Sequence, residues 1–419
     1  MATLPRGLKA VLTKAPSDTV ILSALRTPIC RAYKGQLKDA YPEELLSTVL
    51  AATRAAQPAA TARVADIAVG VVLSELGGAK AARMALAHVG FAPAATALYT
   101  ANRACASSLH TVALAAAQIR AGMVAAAVAA GMESMTRNYG SRAVPERPWP
   151  ALRTSPVKEA RDCVLPMGLT SEIVAGRYGV ARADQDRLAL ESHRRAARAR
   201  AEGCFVDEIV PVTTPFRPGE GDERDERDEQ TVTVTEDDGI RAHVSLEGLA
   251  KLKPAFAADG ASTAGNSSQI SDGAAAVLLM RRAEAEAWGL RDAVMGRFVG
   301  ASVVGAMPDE MGVGPALAIP KLLDMFGIRI SDVQRWEINE AFASQVIYCL
   351  RKLGLEKQWA QGKVNPDGGA IALGHPLGAT GARMTATLMH GMRRGGDELG
   401  VVSMCVGTGM GMAGLFVRE

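Results

Sequence analysis

The chain has 419 residues, 48% hydrophobic and only 4% aromatic, with 47 Lys plus Arg against 44 Asp plus Glu. Two or three folded units with ample core are expected at that length, and the apolar fraction excludes disorder. A formal net charge of +3 offers no basic face, so no nucleic-acid partner is expected.

Val20 to Ala24 reads as a strand and Glu43 to Arg54 as a helix; a second strand, Ile67 to Val72, precedes a helix from Gly78 to His88. Leu98 to Asn102 is extended and leads to Cys105, after which Leu109 to Ala121 is helical and Val124 to Ala130 is a buried strand. Alternation of this kind predicts a parallel sheet covered on both faces. Residues 137–261 are rich in Arg, Pro and Glu and carry one long charged helix, Arg182 to Glu202. Within them Arg217 to Glu229 holds seven acids and three arginines, the pattern of a solvated loop. From Ala274 the apolar alternation resumes. Leu399 to Val417 is uncharged but carries glycines at 400, 407, 409, 411 and 414, so it reads as buried strands around a turn and not as a membrane span.

The two apolar stretches share an order of elements. In the first, a loop with Cys105 opens an Ala-rich helix, followed by a strand and Gly-Met-Glu-Ser-Met. In the second, a loop with His375 opens a helix, followed by a strand and Cys-Val-Gly-Thr-Gly. A duplicated α/β unit interrupted by an insertion is expected.

The cysteines at 30, 105, 163, 204, 349 and 405 form no C-x-x-C pair, which is the wrong spacing for zinc and too sparse for a disulfide framework. A reducing compartment and no metal site are expected. Four stretches could carry chemistry. Asn102-Arg-Ala-Cys-Ala-Ser-Ser-Leu places a thiol where a strand becomes a helix, and the helix dipole there favours a thiolate. Gly369-Ala-Ile-Ala-Leu-Gly-His-Pro-Leu-Gly-Ala-Thr-Gly frames His375 with glycines, where an exposed imidazole could take a proton from a thiol. Met404-Cys-Val-Gly-Thr-Gly-Met-Gly sets Cys405 at a strand end. Its Gly409, Gly411 and Gly414 match G-x-G-x-x-G, but too few residues follow for a dinucleotide site. Glu337-Ile-Asn-Glu-Ala-Phe-Ala carries Asn339 at a strand-to-helix junction, where a helix-capping role is the alternative.

Together these stretches resemble the active site of the thiolase family, in its peroxisomal-type 3-ketoacyl-CoA branch, and the resemblance runs from about Val20 to Val417. Ala160-Arg-Asp-Cys-Val-Leu-Pro-Met-Gly, Glu247-Gly-Leu-Ala-Lys-Leu-Lys-Pro-Ala-Phe and Thr263-Ala-Gly-Asn-Ser-Ser-Gln support it. It implies the α/β thiolase fold: two duplicated βαβαβαββ halves forming a five-layered αβαβα core, with an inserted loop domain. The halves would be 18–138 with 262–283 (bearing the nucleophile) and 284–419, and the insertion 139–261 would bind CoA. By the same resemblance Cys105 is the acylated nucleophile, His375 its activating base and Cys405 the second acid/base. Asn339 would hold a water that forms one oxyanion hole with His375, and the N–H groups of Cys105 and Gly407 would form the other. For CoA, Met167 and Ser268 match positions that contact pantetheine, and Ala341 and Phe342 match the wall beside them. The implied reaction is thiolytic cleavage of 3-ketoacyl-CoA to acetyl-CoA and a shortened acyl-CoA, the last step of fatty-acid β-oxidation. It needs CoA as co-substrate but no cofactor. The alternatives are an acetoacetyl-CoA (biosynthetic) thiolase and a catalytically retired CoA- or lipid-binding relative. Pro166 stands where the acetoacetyl-CoA branch has His, so longer chains are expected.

Ala104, Ser108 and His110 depart from the Gln, Gly and Gln of the family pattern, and a hydroxymethyl at 108 is expected to narrow the acyl pocket or shift the backbone. A homodimer or tetramer is implied, with the Ala-rich segment 109–131 as a surface ill suited to solvent. The branch implies a peroxisome or related organelle, with cytosol and mitochondrion as alternatives; Arg6-Gly-Leu-Lys-Ala-Val-Leu-Thr-Lys lacks the histidine of an N-terminal peroxisomal address, and Phe-Val-Arg-Glu is not the C-terminal one.

Overall fold

The computed structural model describes residues 4–145, 147–219 and 229–419. Its first sheet starts with β1 (Thr19–Arg26), followed by α1 (Pro42–Ala56), β2 (Val64–Gly70), α2 (Ala79–His88), β3 (Ala97–Ala101), α3 (Ser107–Arg120) and β4 (Ala126–Ser134). Local chemistry sets these boundaries. Pro42 opens α1, and the Glu44 carboxylate reaches back to accept from the Tyr41 N–H at 3.1 Å. All nine residues of β4 are buried, as expected for a strand sandwiched between helices.

The chain then leaves the sheet. Residues 139–261 contribute α4 (Met167–Arg177), α5 (Arg182–Ala201) and a small antiparallel pair, Val212–Phe216 with Gln230–Val234. Arg217 and Glu229, the ends of the charged run, pair at 2.8 Å; its interior, 220–228, lies outside the described residues. The chain returns as β5 (Ser271–Arg281), which inserts antiparallel between β4 and β1, giving the strand order β3-β2-β4-β5-β1.

A second sheet repeats this plan: β6 (Gly296–Gly305), α6 (Gly314–Phe326), β7 (Arg335–Ile338), α7 (Ala343–Leu353), α8 (Thr380–Gly395), β8 (Leu399–Val406) and β9 (Met410–Arg418). Its order is β7-β8-β9-β6, and Val364 makes a parallel bridge to Trp336 at the outer position that β3 holds in the first sheet. The sheets join where β1 and β6 pair antiparallel from Thr19–Phe298 to Ile21–Gly296.

Three apolar clusters fill the spaces between the layers. One packs α1 and α2 on the outer face of the first sheet, and one packs α6 and α7 on the outer face of the second. The third surrounds α3 and α8, which lie against each other between the sheets. The result is the αβαβα sandwich with duplicated halves that was expected. The segment 109–131 is central to this middle layer, so its apolar character comes from burial within one chain and is no evidence for a subunit interface. The uncharged stretch 399–417 is the β8–β9 hairpin, and no described helix is long and apolar enough to cross a membrane. One boundary matters for the site. The strand expected to end at Ala130 continues to Ser134, so Gly131-Met-Glu-Ser belongs to it and Glu133 lies inside the sheet.

Candidate active site

Cys105 sits in the tight connection between β3 and α3. The Asn102 side chain accepts from the Ala104 N–H at 2.9 Å, Ala104 takes a left-handed φ of 41°, and the N–H groups of Ala106 and Ser107 bond back to Arg103 and Ala104. This turn directs Cys105 inward, leaving it 8% exposed. Burial pushes the thiol above its ordinary value, and the backbone N–H groups of Gly407 and Cys105 pull it partly back down. The expected helix-stabilised thiolate is therefore not the resting form: α3 begins two residues later, and desolvation prevails over its dipole.

His375 follows Gly374, whose φ of 104° and whose approach to the Ser271 hydroxyl exclude a side chain. The imidazole is buried, contrary to the exposed loop expected from its glycines. Its Nδ1 lies 2.7 Å from Thr380 Oγ1, and that hydroxyl donates to Pro376 O at 3.0 Å. With its one proton so engaged, Thr380 accepts from Nδ1–H, leaving Nε2 unprotonated and able to accept from the Asn339 side-chain N–H. Nε2 faces the Asn339 side-chain amide at 3.3 Å. Burial and the nearby Arg383 charge push the imidazole down to about 3, so it is neutral at physiological pH. Asn339 does not cap α7, which starts at Ala343; its N–H donates to Ser403 O on β8, and its buried Oδ1 has no partner among the described residues.

Cys405 lies two residues further along β8, fully buried, its thiol held well above the ordinary value by burial and by the neighbouring Cys105 and Cys349 sulfurs. It packs with Met311, Ala341 and Phe342, and Met167, the first residue of α4, closes the cluster. A methyl placed on Gly407 would stand 3.7 Å from both Ala104 and the Met167 sulfur, so the turn after β8 faces the Cys105 connection directly. Ser268 donates its N–H to Ala341 O at 2.9 Å, and Phe342 meets Phe256 edge-on with centroids 5.9 Å apart. The two cysteines, Gly407 and the four expected CoA-binding residues thus share one locus, with the Asn339–His375 pair against the adjacent stretch of β8.

The model for the thiolase N-terminal domain matches residues 19–283, and that for the C-terminal domain matches 293–418. The chain belongs to the thiolase family. It is 49% identical over 409 residues to 3-ketoacyl-CoA thiolase 1, peroxisomal, of Arabidopsis thaliana, covering 96% of this chain and 88% of the relative. It is 49% identical over 404 residues to the peroxisomal 3-ketoacyl-CoA thiolase of Homo sapiens, covering 96% and 91%. Among solved structures, the dimeric peroxisomal thiolase of Saccharomyces cerevisiae matches with a TM-score of 0.88 at 40% identity, covering 98% of this chain and all of that one.

Two residues of this thiolase that sequence reasoning passed over support its histidine. Thr380 is one; Glu133 is the other. The buried Glu133 carboxylate accepts from the N–H groups of Val72 at 3.1 Å, Leu73 at 3.2 Å and Gly378 at 2.9 Å, tying the end of β2 to the histidine loop. Burial lifts its carboxyl to about 7 against the pull of these amides. A lone acid in an Ala- and Gly-rich strand was the available signal. Of the three departures around Cys105, His110 lies against Arg103, its Nε2 3.4 Å from the guanidinium. The Ser108 hydroxyl accepts the Ala382 N–H of α8 at 2.8 Å, facing the other central helix.

Proposed function

We propose that this thiolase cleaves 3-ketoacyl-CoA with CoA to give acetyl-CoA and a chain-shortened acyl-CoA, and that it does so in the peroxisome as the closing step of a β-oxidation cycle. Peroxisomal relatives 49% identical over nearly the whole chain support this reading. The structural observation that carries it is the meeting of two sulfurs, Cys105 and Cys405, beside the Gly407 amide.

In this mechanism His375 Nε2 takes the Cys105 proton as sulfur attacks the 3-keto carbon. The C2–C3 bond breaks, its electron pair stays on C2 of the departing acetyl-CoA enolate, and Cys405 supplies the proton. The Cys405 thiolate then takes a proton from CoA, whose sulfur attacks the Cys105 thioester; His375 returns its proton to Cys105. One oxyanion is stabilised by the N–H groups of Cys105 and Gly407, the other by His375 and a water held by Asn339. A neutral imidazole and a protonated thiol suit this sequence, because the charges appear only as bonds change. Thioester exchange for thioester requires neither metal nor redox cofactor. Met167, Ser268, Ala341 and Phe342 line the pantetheine path. The unit 18–138 with 262–283 supplies the nucleophile, 284–419 supplies His375, Cys405 and Asn339, and 139–261 covers CoA. The protein works as a homodimer; the yeast relative is a dimeric thiolase.

The test is steady-state thiolysis of acetoacetyl-CoA and of a long-chain 3-ketoacyl-CoA with free CoA. Stoichiometric acetyl-CoA formation, abolished in Cys105→Ala, is expected with both. CoA binding without turnover would identify a retired binding protein instead, and turnover of acetoacetyl-CoA alone would identify the biosynthetic branch.

A further inference from the structure

The two central helices carry opposite halves of the chemistry: α3 follows Cys105, and α8 follows His375. They cross almost backbone to backbone. A methyl on Gly381 would fall 2.2 Å from the Leu109 nitrogen, and one on Gly131 would fall 2.8 Å from the Ser108 Cβ and 2.3 Å from Gly378 O. Such close contact shuts the first N–H groups of α8 off from solvent: that of Thr380 donates to Pro376 O in the preceding turn at 3.1 Å, and those that follow need acceptors inside the contact. Ala382, third in α8, is fully buried, and its N–H finds the Ser108 hydroxyl at 2.8 Å. Ser108 is itself fully buried and stands three residues from Cys105. Ala382 stands two residues from Thr380, whose hydroxyl holds His375 Nδ1.

We infer that Ser108 is a positioning residue that caps α8 from the opposite half of the molecule and thereby sets the placement of His375 relative to Cys105. The Ser108 hydroxyl and the Glu133 carboxylate grip the histidine segment at two points, Ala382 and Gly378, from α3 and from β4. With the Ser108 bond lost, the first turn of α8 can shift along the glycine contact, carrying Thr380 and the imidazole with it. The CoA-facing residues Met167, Ser268 and Phe342 lie on other segments and are unaffected. The inference rests on the reading of Cys105 as nucleophile and His375 as its base.

Ser108→Ala and Ser108→Gly separate this role from simple packing, since both only remove atoms. Alanine keeps a methyl where the hydroxymethyl stood and leaves the Ala382 N–H without an acceptor or room for water. Glycine opens space for a water to accept that proton. The expected order for kcat, and for the rate of Cys105 alkylation by iodoacetamide, is wild type, then glycine, then alanine. Alanine should be down about tenfold, the scale of one orphaned buried donor, and KM for CoA should stay within about twofold. A packing role gives the reverse order, because glycine leaves a cavity and weakens the helix. Hydrogen exchange reads the anchor independently of turnover: the peptide spanning 376–388 should exchange faster in Ser108→Ala, with 42–56 unchanged. Wild-type alkylation and exchange in Ser108→Ala, or rates that fall further in glycine than in alanine, would overturn the inference. Absence of thiolysis in the wild-type protein would defeat the functional reading instead, while the exchange experiment would still report on the anchor.

Discussion

Thr380 Oγ1 lies 2.7 Å from His375 Nδ1 and 3.0 Å from Pro376 O, so one hydroxyl both accepts from the imidazole and donates to the loop that carries it. This fixes the tautomer. Nδ1 keeps the proton, Nε2 keeps its lone pair, and the ring is held on the Asn339 side of the site. Arg383, buried on the same helix, adds a positive charge that opposes a resting imidazolium.

Thr380→Val keeps the shape and removes the acceptor. Thiolysis kcat should fall by about ten- to a hundredfold, the scale at stake when a general base is misoriented, with KM for CoA little changed. Wild-type kcat in this variant would show that the hydroxyl does not orient the ring.

Iodoacetamide labelling tests the nucleophile. Cys163 is exposed and should alkylate too, whereas loss of thiolysis should track labelling of the buried Cys105. Because burial raises this thiol and lowers the imidazole, the labelling rate should keep rising from about pH 6 to 9. A preformed thiolate–imidazolium pair would instead plateau near pH 5, and that result would contradict the neutral resting pair. His375→Ala should slow Cys105 labelling by at least about tenfold and, since the ring is buried, should also lower stability.

Cys405→Ser should divide the two half-reactions. Acyl transfer to Cys105 from acetyl-CoA needs only the first nucleophile and its oxyanion donors, and should remain detectable as a mass increase on that peptide. Thiolysis of acetoacetyl-CoA should drop by at least about a hundredfold, the scale of losing a general acid/base. Equal retention of both activities would return that role to another group.

A stability prediction comes from His193, which is buried on α5 and accepts the Arg241 N–H at 3.2 Å through Nδ1. Burial and the Arg241 charge hold it down at about 4. Unfolded, it titrates near ~6.5, so between these values the unfolded chain binds the extra proton and acid favours unfolding. His193→Gln should therefore lose less stability than wild type as pH falls from about 6.5 to 4, the difference growing to about 2–3 kcal/mol. Urea midpoints at three pH values measure it; parallel pH profiles would mean that His193 is not held neutral.

The alternation of apolar runs with helices was legible in the chain because burial on both faces of a sheet demands it, and the repeated order around Cys105 and His375 exposed the duplication. The four stretches bearing the two cysteines, the histidine and Asn339 were legible because their spacing matches a family pattern. What the residues could not disclose was state and support. The glycines around His375 suggested a surface loop, yet they serve close packing in the middle layer, where burial makes the imidazole neutral. The dipole at Cys105 suggested a thiolate, yet desolvation outweighs it. Glu133, Thr380 and Ser108 act through partners distant in the chain or through a single local turn: Glu133 meets Gly378 across 245 positions and Ser108 meets Ala382 across 274. Periodicity and composition record which faces an element buries. Which buried N–H meets which oxygen is decided only when the two sheets close around α3 and α8, because a hydrogen bond depends on ångström-scale placement that side-chain polarity alone does not encode.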